Sequence, residues 1–188
     1  MFKDTKNSLK FAGAALLVAV AWASYYFYPS RAADLKPETS KSYVSGRYGI
    51  SFLYPNYYRL EQKDIGDARR ARHLIMLTDA TLDPLPKDGE GPPSITIDIL
   101  ENDGIAVSAE DFIRNDDISN YRLGNGLIST STEGPVEGLG YSWSGLYEGR
   151  SLVVVRPGYI FMFSVTRFGP DDRIVADFSR ILRTTVLK

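Results

Sequence analysis

From Phe11 to Tyr28 the chain reads FAGAALLVAVAWASYYFY, with no charged residue. At a helical rise of ~1.5 Å per residue such a run spans about 27 Å, close to the hydrocarbon thickness of a bilayer. A helix satisfies its backbone polar groups internally, as an apolar medium demands. Trp22, Tyr25, Tyr26 and Tyr28 crowd the C-terminal end of the run, where amphipathic rings favour the membrane interface, and Pro29 and Arg31 close it. Residues 1–10 are polar and carry Lys3, Lys6 and Lys10. This pattern predicts one transmembrane helix over 11–28, with a cytoplasmic N-terminus and an extracytoplasmic domain. A run that is apolar on every face does not suit a surface helix of a soluble protein. The competing reading is a cleaved leader, because Ala21-Trp22-Ala23 is an A-x-A-like site. Its product would be secreted or periplasmic and would begin with the apolar SYYFYPS.

Residues 29–42, PSRAADLKPETSKS, have the polar, proline-containing composition of a linker. What remains, 43–188, is the size of one ordinary domain. The chain is 44% hydrophobic, enough to bury a core. Its formal net charge is −1, but the first 33 residues hold Lys3, Lys6, Lys10 and Arg31 against Asp4. The remainder therefore carries 18 basic and 22 acidic residues, about −4, with no electrostatic footprint for nucleic acid. The chain has no cysteine and one histidine, His73. Disulfides, thiol catalysis, lipidated cysteine and multi-histidine metal sites are thereby excluded within one chain.

Periodicity predicts strands in YGISFLYP (48–55), YRLEQKD (58–64), HLIMLTDA (73–80) and SITIDILEN (94–102). YRLEQKD reads as the strand returning after the Pro55-Asn56 turn. In SITIDILEN the alternation puts Ile95, Ile97 and Ile99 inward and Thr96 and Asp98 outward. DPLPKDGEGPP (83–93) is a loop. Ser108 and Asp111 resemble a capping box, so a short helix starts at Ser108 and runs through Phe112 and Ile113. Asn125-Gly126 suggests a hairpin over 121–130. GYSWSGLY (140–147) and RSLVVVRP (150–157) form another pair, and YIFMFSVTRF (159–168) is the most hydrophobic strand. Asp171 or Asp172 caps a final helix whose Ile174, Phe178, Ile181 and Leu182 form one apolar stripe. The expected class is α+β, an antiparallel sheet with helices packed on it.

YGISFLYP, SITIDILEN followed by SAEDFIRN, and a terminal hairpin leading into DFSRILRTTVLK together resemble the PsbP-like fold, shared with the Mog family of Ran-binding proteins. The likeness covers about 43–188 in element order. It implies an α/β/α sandwich and an accessory or scaffold role, often beside a larger membrane complex. In photosynthetic members it also implies help with manganese and calcium retention. The predicted transmembrane segment departs from the soluble thylakoid-lumen members, and no family functional residue is carried over.

Residue chemistry points more to contact than to catalysis. Arg69, Arg70 and Arg72 precede His73 and form either a solvated loop or a patch for an acidic partner, phosphate or anionic headgroup. Asp98, Glu101 and Asp103 could offer oxygens to Ca²⁺, but they lack the spacing of a calcium loop. Ser142 and Ser144 flank Trp143 without a G-x-S-x-G elbow, so a hydrolase ranks lowest. Tyr141, Trp143 and Tyr147 alternate onto one strand face, which is either core or a docking surface. No catalytic, cofactor-binding or metal-ligating residue is assigned. The expectation is a membrane-tethered, non-enzymatic accessory domain that binds an envelope protein partner, possible surface Tyr141, Trp143, Tyr147, Arg69, Arg70 and Arg72. The alternative is a module for a small ligand or for calcium or manganese.

Overall fold

The alternation in SITIDILE and YIFMFSVTR is that of strands with two faces to cover, and these segments lie side by side at the middle of a sheet. The computed structural model describes residues 39–67, 70–82, 91–102 and 107–188. The expected membrane helix over 11–28 and residues 29–38 of the expected linker lie outside those residues. No helix among the described residues is long and apolar enough to cross a membrane. The strands are β1 (Ser40–Ser45), β2 (Ile50–Pro55), β3 (Tyr58–Asp67), β4 (Arg70–Asp79), β5 (Ser94–Glu101), β6 (Ser129–Glu133), β7 (Val136–Ser144), β8 (Glu148–Arg156), β9 (Tyr159–Arg167) and β10 (Val186–Leu187). The helices are α1 (Ala109–Asn115) and α2 (Arg173–Thr184). Seven strands form an antiparallel sheet in the order β3-β4-β5-β9-β8-β7-β6, and β1, β2 and β10 form a separate three-stranded sheet.

Each face of the large sheet is covered by a different helix. On one, Ile75, Leu77, Ile97, Leu152 and Phe163 pack with Ile50 and Phe52 of β2 and with Phe178, Ile181 and Leu182 of α2. On the other, Leu100, Val153, Ile160 and Met162 meet Phe112 and Ile113 of α1. Burying each such side chain contributes ~1.5–3 kcal/mol, so both helices are held chiefly by their apolar stripes. Ser108 caps α1 as its spacing predicts, its hydroxyl accepting from the Asp111 N–H at 3.1 Å and donating to the Asp111 carboxylate at 2.6 Å.

One polar contact joins α2 to the corner between β2 and β3. Asp177 is fully buried, and its carboxylate accepts from the hydroxyls of Tyr57 at 2.7 Å and Tyr58 at 3.0 Å and from Arg180 Nη1 at 2.9 Å. Burial, reinforced by that carboxylate, pushes both phenols well above their ordinary range, so they remain protonated donors. Arg173 lies over the Tyr57 ring, 4.3 Å from its centre, and pairs with Asp79.

Several expectations are corrected. β3 does not return along β2: β2 pairs with β1 and β10, while β3 pairs with β4. Strand β1 reaches back to Ser40, into the segment read as linker. No hairpin forms over 121–130. Tyr121–Leu123 is a 3₁₀ turn entered through Asn120 at φ 57°, and Gly124 makes a single bridge to Trp143. The hairpin lies further on, between β6 and β7, where Gly134 at φ 64° supplies the left-handed residue. A Cβ there would also lie 2.7 Å from the Arg183 backbone of α2. Asp98 points to the α1 side but is buried, not solvated. Asp172 stands at the N-cap of α2, yet its carboxylate accepts from the N–H groups of Phe168 and Gly169.

The antiparallel register gives the large sheet two distinct ends. Tyr58, Asp79, Ser94, Arg167, Glu148 and Ser144 lie at one, which we call the entry end. The chain enters β1 there, because the Asn56 N–H donates to the Thr39 carbonyl at 3.0 Å. Asp67, Arg70, Glu101, Tyr159 and Arg156 mark the far end.

Asp177→Ala would strand the buried Tyr58 phenol and the half-buried Tyr57 phenol and remove the partner of Arg180. It should destabilise the domain by about 3–5 kcal/mol, in the range for breaking a buried charge network. The urea midpoint followed by far-UV circular dichroism measures this; a loss below about 1 kcal/mol, the size of an ordinary surface change, would contradict the role assigned to Asp177.

Candidate functional site

His73 lines a cavity at the far end of the large sheet. β3 ends at Asp67 and β4 begins at Arg70, so counting outward along the pair sets Asp64 opposite His73. Both side chains fall on the face that also carries Ile75 and Ile99. The turn between β1 and β2 brings Arg47 and Tyr48 over them. The Tyr48 ring stacks on the His73 ring at 4.7 Å between centres and 29° between planes. The Arg47 guanidinium lies 5.0 Å from the Tyr48 ring centre, and Tyr159 meets Tyr48 edge-on at 5.6 Å. This layered contact holds the imidazole in place, each aromatic or cation–π pair contributing about 0.5–1.5 kcal/mol.

The cavity that results is about 300 Å³ and lies at the far end of the sheet. Its walls are Arg47, Tyr48, Asp64, Arg72, His73 and Glu101, with a floor including Ile99. The His73 Nδ1 lies 2.7 Å from Asp64 Oδ1. An ionised carboxylate only accepts, so Nδ1 is the donor and the neutral ring keeps its lone pair on Nε2. Nε2 is buried and has no hydrogen-bond partner among the described residues. The Asp64 side chain is 76% exposed, so the pair orients the ring more than it stabilises the fold. Burial also raises the Tyr48 phenol above its ordinary range, with Arg47 opposing the shift.

Arg72 is not part of a solvated loop. It lies within β4, and Nη2 and Nε contact Asp98 Oδ1 at 2.6 and 2.7 Å. Asp98 is 2% exposed, and its burial raises the carboxyl above the usual range against the opposing Arg72 charge. Arg69 lies outside the described residues, and Arg70 is described only as the first residue of β4. Asp98 and Glu101 stand an odd number of residues apart on one strand, hence on opposite faces, and Asp103 lies outside the described residues. Among the described residues no three histidine, aspartate or glutamate side chains converge as a metal site.

The aromatic group predicted as one face is divided. Tyr141 is buried, and its hydroxyl donates to the Ser119 carbonyl at 2.5 Å. Burial pushes that phenol up to about 12. Trp143 is half-buried and donates from Nε1 to Ser151 Oγ at 3.0 Å. A Cβ on Gly149 would lie 2.2 Å from the Trp143 ring, so glycine is what lets the indole lie across β8. Tyr147 sits beyond β7 in the turn and stacks edge-on to Phe168 at 5.1 Å. Ser142 and Ser144 are on β7, four strands from His73, or about 19 Å at normal strand spacing. The imidazole therefore cannot activate either serine.

Sequence reading named His73 and Arg72 but missed Arg47, Tyr48, Asp64 and the pocket role of Glu101. The available signal was the strand register: setting Asp67 opposite Arg70 pairs Asp64 with His73 by counting. Starting the strand at His73 concealed it.

Two outcomes follow. Arg72→Met leaves Asp98 buried without its cation and should cost about 3–5 kcal/mol at neutral pH. The sign is set by the raised Asp98 carboxyl: the folded state takes up the proton before the unfolded state does. The deficit should therefore shrink as pH falls through the folded value and level off below the unfolded one. Urea titrations at a series of pH values test this, and a deficit that grows on acidification would refute it. Separately, ¹⁵N spectra of the single histidine should show the neutral ring protonated at Nδ1, and Asp64→Leu should abolish that preference.

No family model matches this sequence, and the search of curated proteins returned no match. Among solved structures the chain is similar to cyanobacterial PsbP (CyanoP) from Synechocystis sp. PCC 6803, with a TM-score of 0.51 at 14% identity. The match covers 82% of this chain and 95% of that one. The likeness is one of fold, and the domain has a distant PsbP-like architecture.

Proposed function

We propose that this chain is a membrane-tethered, non-enzymatic accessory domain of the cell envelope that holds a protein partner at the far end of its sheet. The observation that carries the reading is the His73 pocket. It sets a stacked aromatic wall and an exposed Arg47 around His73, whose Nε2 has no hydrogen-bond partner among the described residues. Among the described residues its lining includes no serine, threonine, cysteine or lysine for the Asp64–His73 pair to activate. Such a cavity accepts a hydrogen-bond donor, and an anchoring side chain from a partner, flanked by a carboxylate to meet Arg47, fits that chemistry. The PsbP-like architecture supports an accessory role, and residues 11–28 supply the tether.

A second reading, a small ligand carrying a hydrogen-bond donor, is favoured by the cavity volume, which matches the lower end of small-molecule sites.

Crosslinking in intact cells, followed by capture of the tagged full-length chain from solubilised membranes, tests the leading reading. The parallel form is the same domain exported without 11–28. Arg47→Glu alters an exposed rim residue without opening the core. It should cut capture by roughly thirtyfold, as loss of an interface hot spot of about 2 kcal/mol does. Capture unchanged by Arg47→Glu, or no reproducible partner from either form, would overturn the reading.

A further inference from the structure

The entry end of the domain carries large apolar side chains that the fold leaves outside. Leu123, Leu146 and Phe168 are 51%, 66% and 73% exposed. Three contacts place them together. Gly124 bridges to Trp143, and a Cβ on Gly145 would meet Leu123 at 3.5 Å, so Leu123 abuts the turn that contains Leu146. Tyr147, next in that turn, packs edge-on to Phe168, and its hydroxyl donates to the Gly91 carbonyl at 2.8 Å. The pairing Glu148↔Arg167 keeps the β7–β8 turn level with the end of β9.

Among the described residues, the arginines nearest these side chains are paired. Arg122 contacts Asp117 at 3.0 Å, Arg167 contacts Glu148 at 3.2 Å, and Arg173 pairs with Asp79, while Asp171 is exposed. Among the described residues, no cluster of unpaired basic side chains of the kind that seeks anionic headgroups flanks Leu123, Leu146 and Phe168. The end's attraction is apolar, and Leu, Phe and Tyr together form the composition that settles at a bilayer interface.

The chain's route identifies the occupant. Thr39 lies at this same end, held by Asn56. Between Tyr28 and Thr39 lie only residues 29–38, which even fully extended reach no more than about 36 Å. A domain leashed that closely meets the membrane at an effective concentration at which a few apolar contacts are enough to bias its orientation.

We propose that Leu123, Leu146 and Phe168 dip into the outer surface of the same bilayer that holds residues 11–28, standing the domain on its entry end with the His73 pocket facing away. This rests on 11–28 spanning a membrane. The contact is with lipid rather than with protein, and it is indifferent to the fraction of anionic lipid.

The chain has no cysteine, so single probes can be placed without other changes. Leu146→Cys and Phe168→Cys report on the entry end, and Pro157→Cys, exposed in the far-end turn between β8 and β9, is the control. Each full-length variant is labelled with a polarity-sensitive fluorophore and reconstituted into phosphatidylcholine vesicles. Flotation with the vesicles is scored first. Emission at positions 146 and 168 should shift to the blue and be at least halved by a spin label on the lipid chains. The probe at 157 should respond only to aqueous iodide. Replacing a third of the lipid with phosphatidylserine should leave this contrast unchanged. Chains that float but show all three probes equally open to iodide would overturn the inference and leave the tether intact. Protection from both quenchers would mean a second copy covers the patch and would likewise overturn it. Failure to float would remove the tether and the inference together.

Discussion

The buried carboxylate of Asp177 is the contact on which the arrangement of layers depends. Helix α2 would pack on the large sheet through Phe178, Ile181 and Leu182 in any of several rotations, since apolar contact is not directional. The hydroxyls of Tyr57 and Tyr58 admit one of them. Because those tyrosines open β3 directly after β2, the same contact fixes the corner from which the three-stranded sheet is folded over. Tyr48 reaches His73 only because that small sheet is held there. A polar group far from the cavity thus sets the geometry of the cavity.

The two ends of the sheet carry different chemistry for a physical reason. The far end is built from a tight β1–β2 turn closing over a strand pair, which produces a concave, partly polar recess around one imidazole. The entry end gathers the β7–β8 turn, the close of β9 and the 3₁₀ turn, and leaves Leu123, Leu146 and Phe168 exposed there. One end is shaped to receive a group and the other to rest against a surface.

Much of the fold was legible because its strands obey a two-residue period and α2 a clean stripe. Ser108 was legible because a capping box is a local device. Pairing was not: the Pro55-Asn56 turn looks like a hairpin, yet β2 finds its partners in β1 and in β10 at the other end of the chain. The Asn125-Gly126 dipeptide misled because Asn120 had already taken the left-handed conformation and redirected the chain. Asp98 was misread because alternation assigns a face, not the exposure of that face, and Arg72 sits two strand positions away on the neighbour to receive it. At the site, His73 and Arg72 were visible as residue types. Asp64, Tyr48 and Arg47 emerged only once register and the overlay of the small sheet were known.

The order of the large sheet also governs how it can be made. β3-β4-β5 and β6-β7-β8-β9 are two runs in which each strand pairs with its sequence neighbour. They meet along a single seam, where Glu101 faces Tyr159 and Asp98 faces Met162. Closing that seam costs about 2–3 kcal/mol more loop entropy than a tight hairpin. Pairing across so large a sequence separation is expected to come late, and a delay would leave the inner edges of two half-formed sheets open to pairing with the wrong chain.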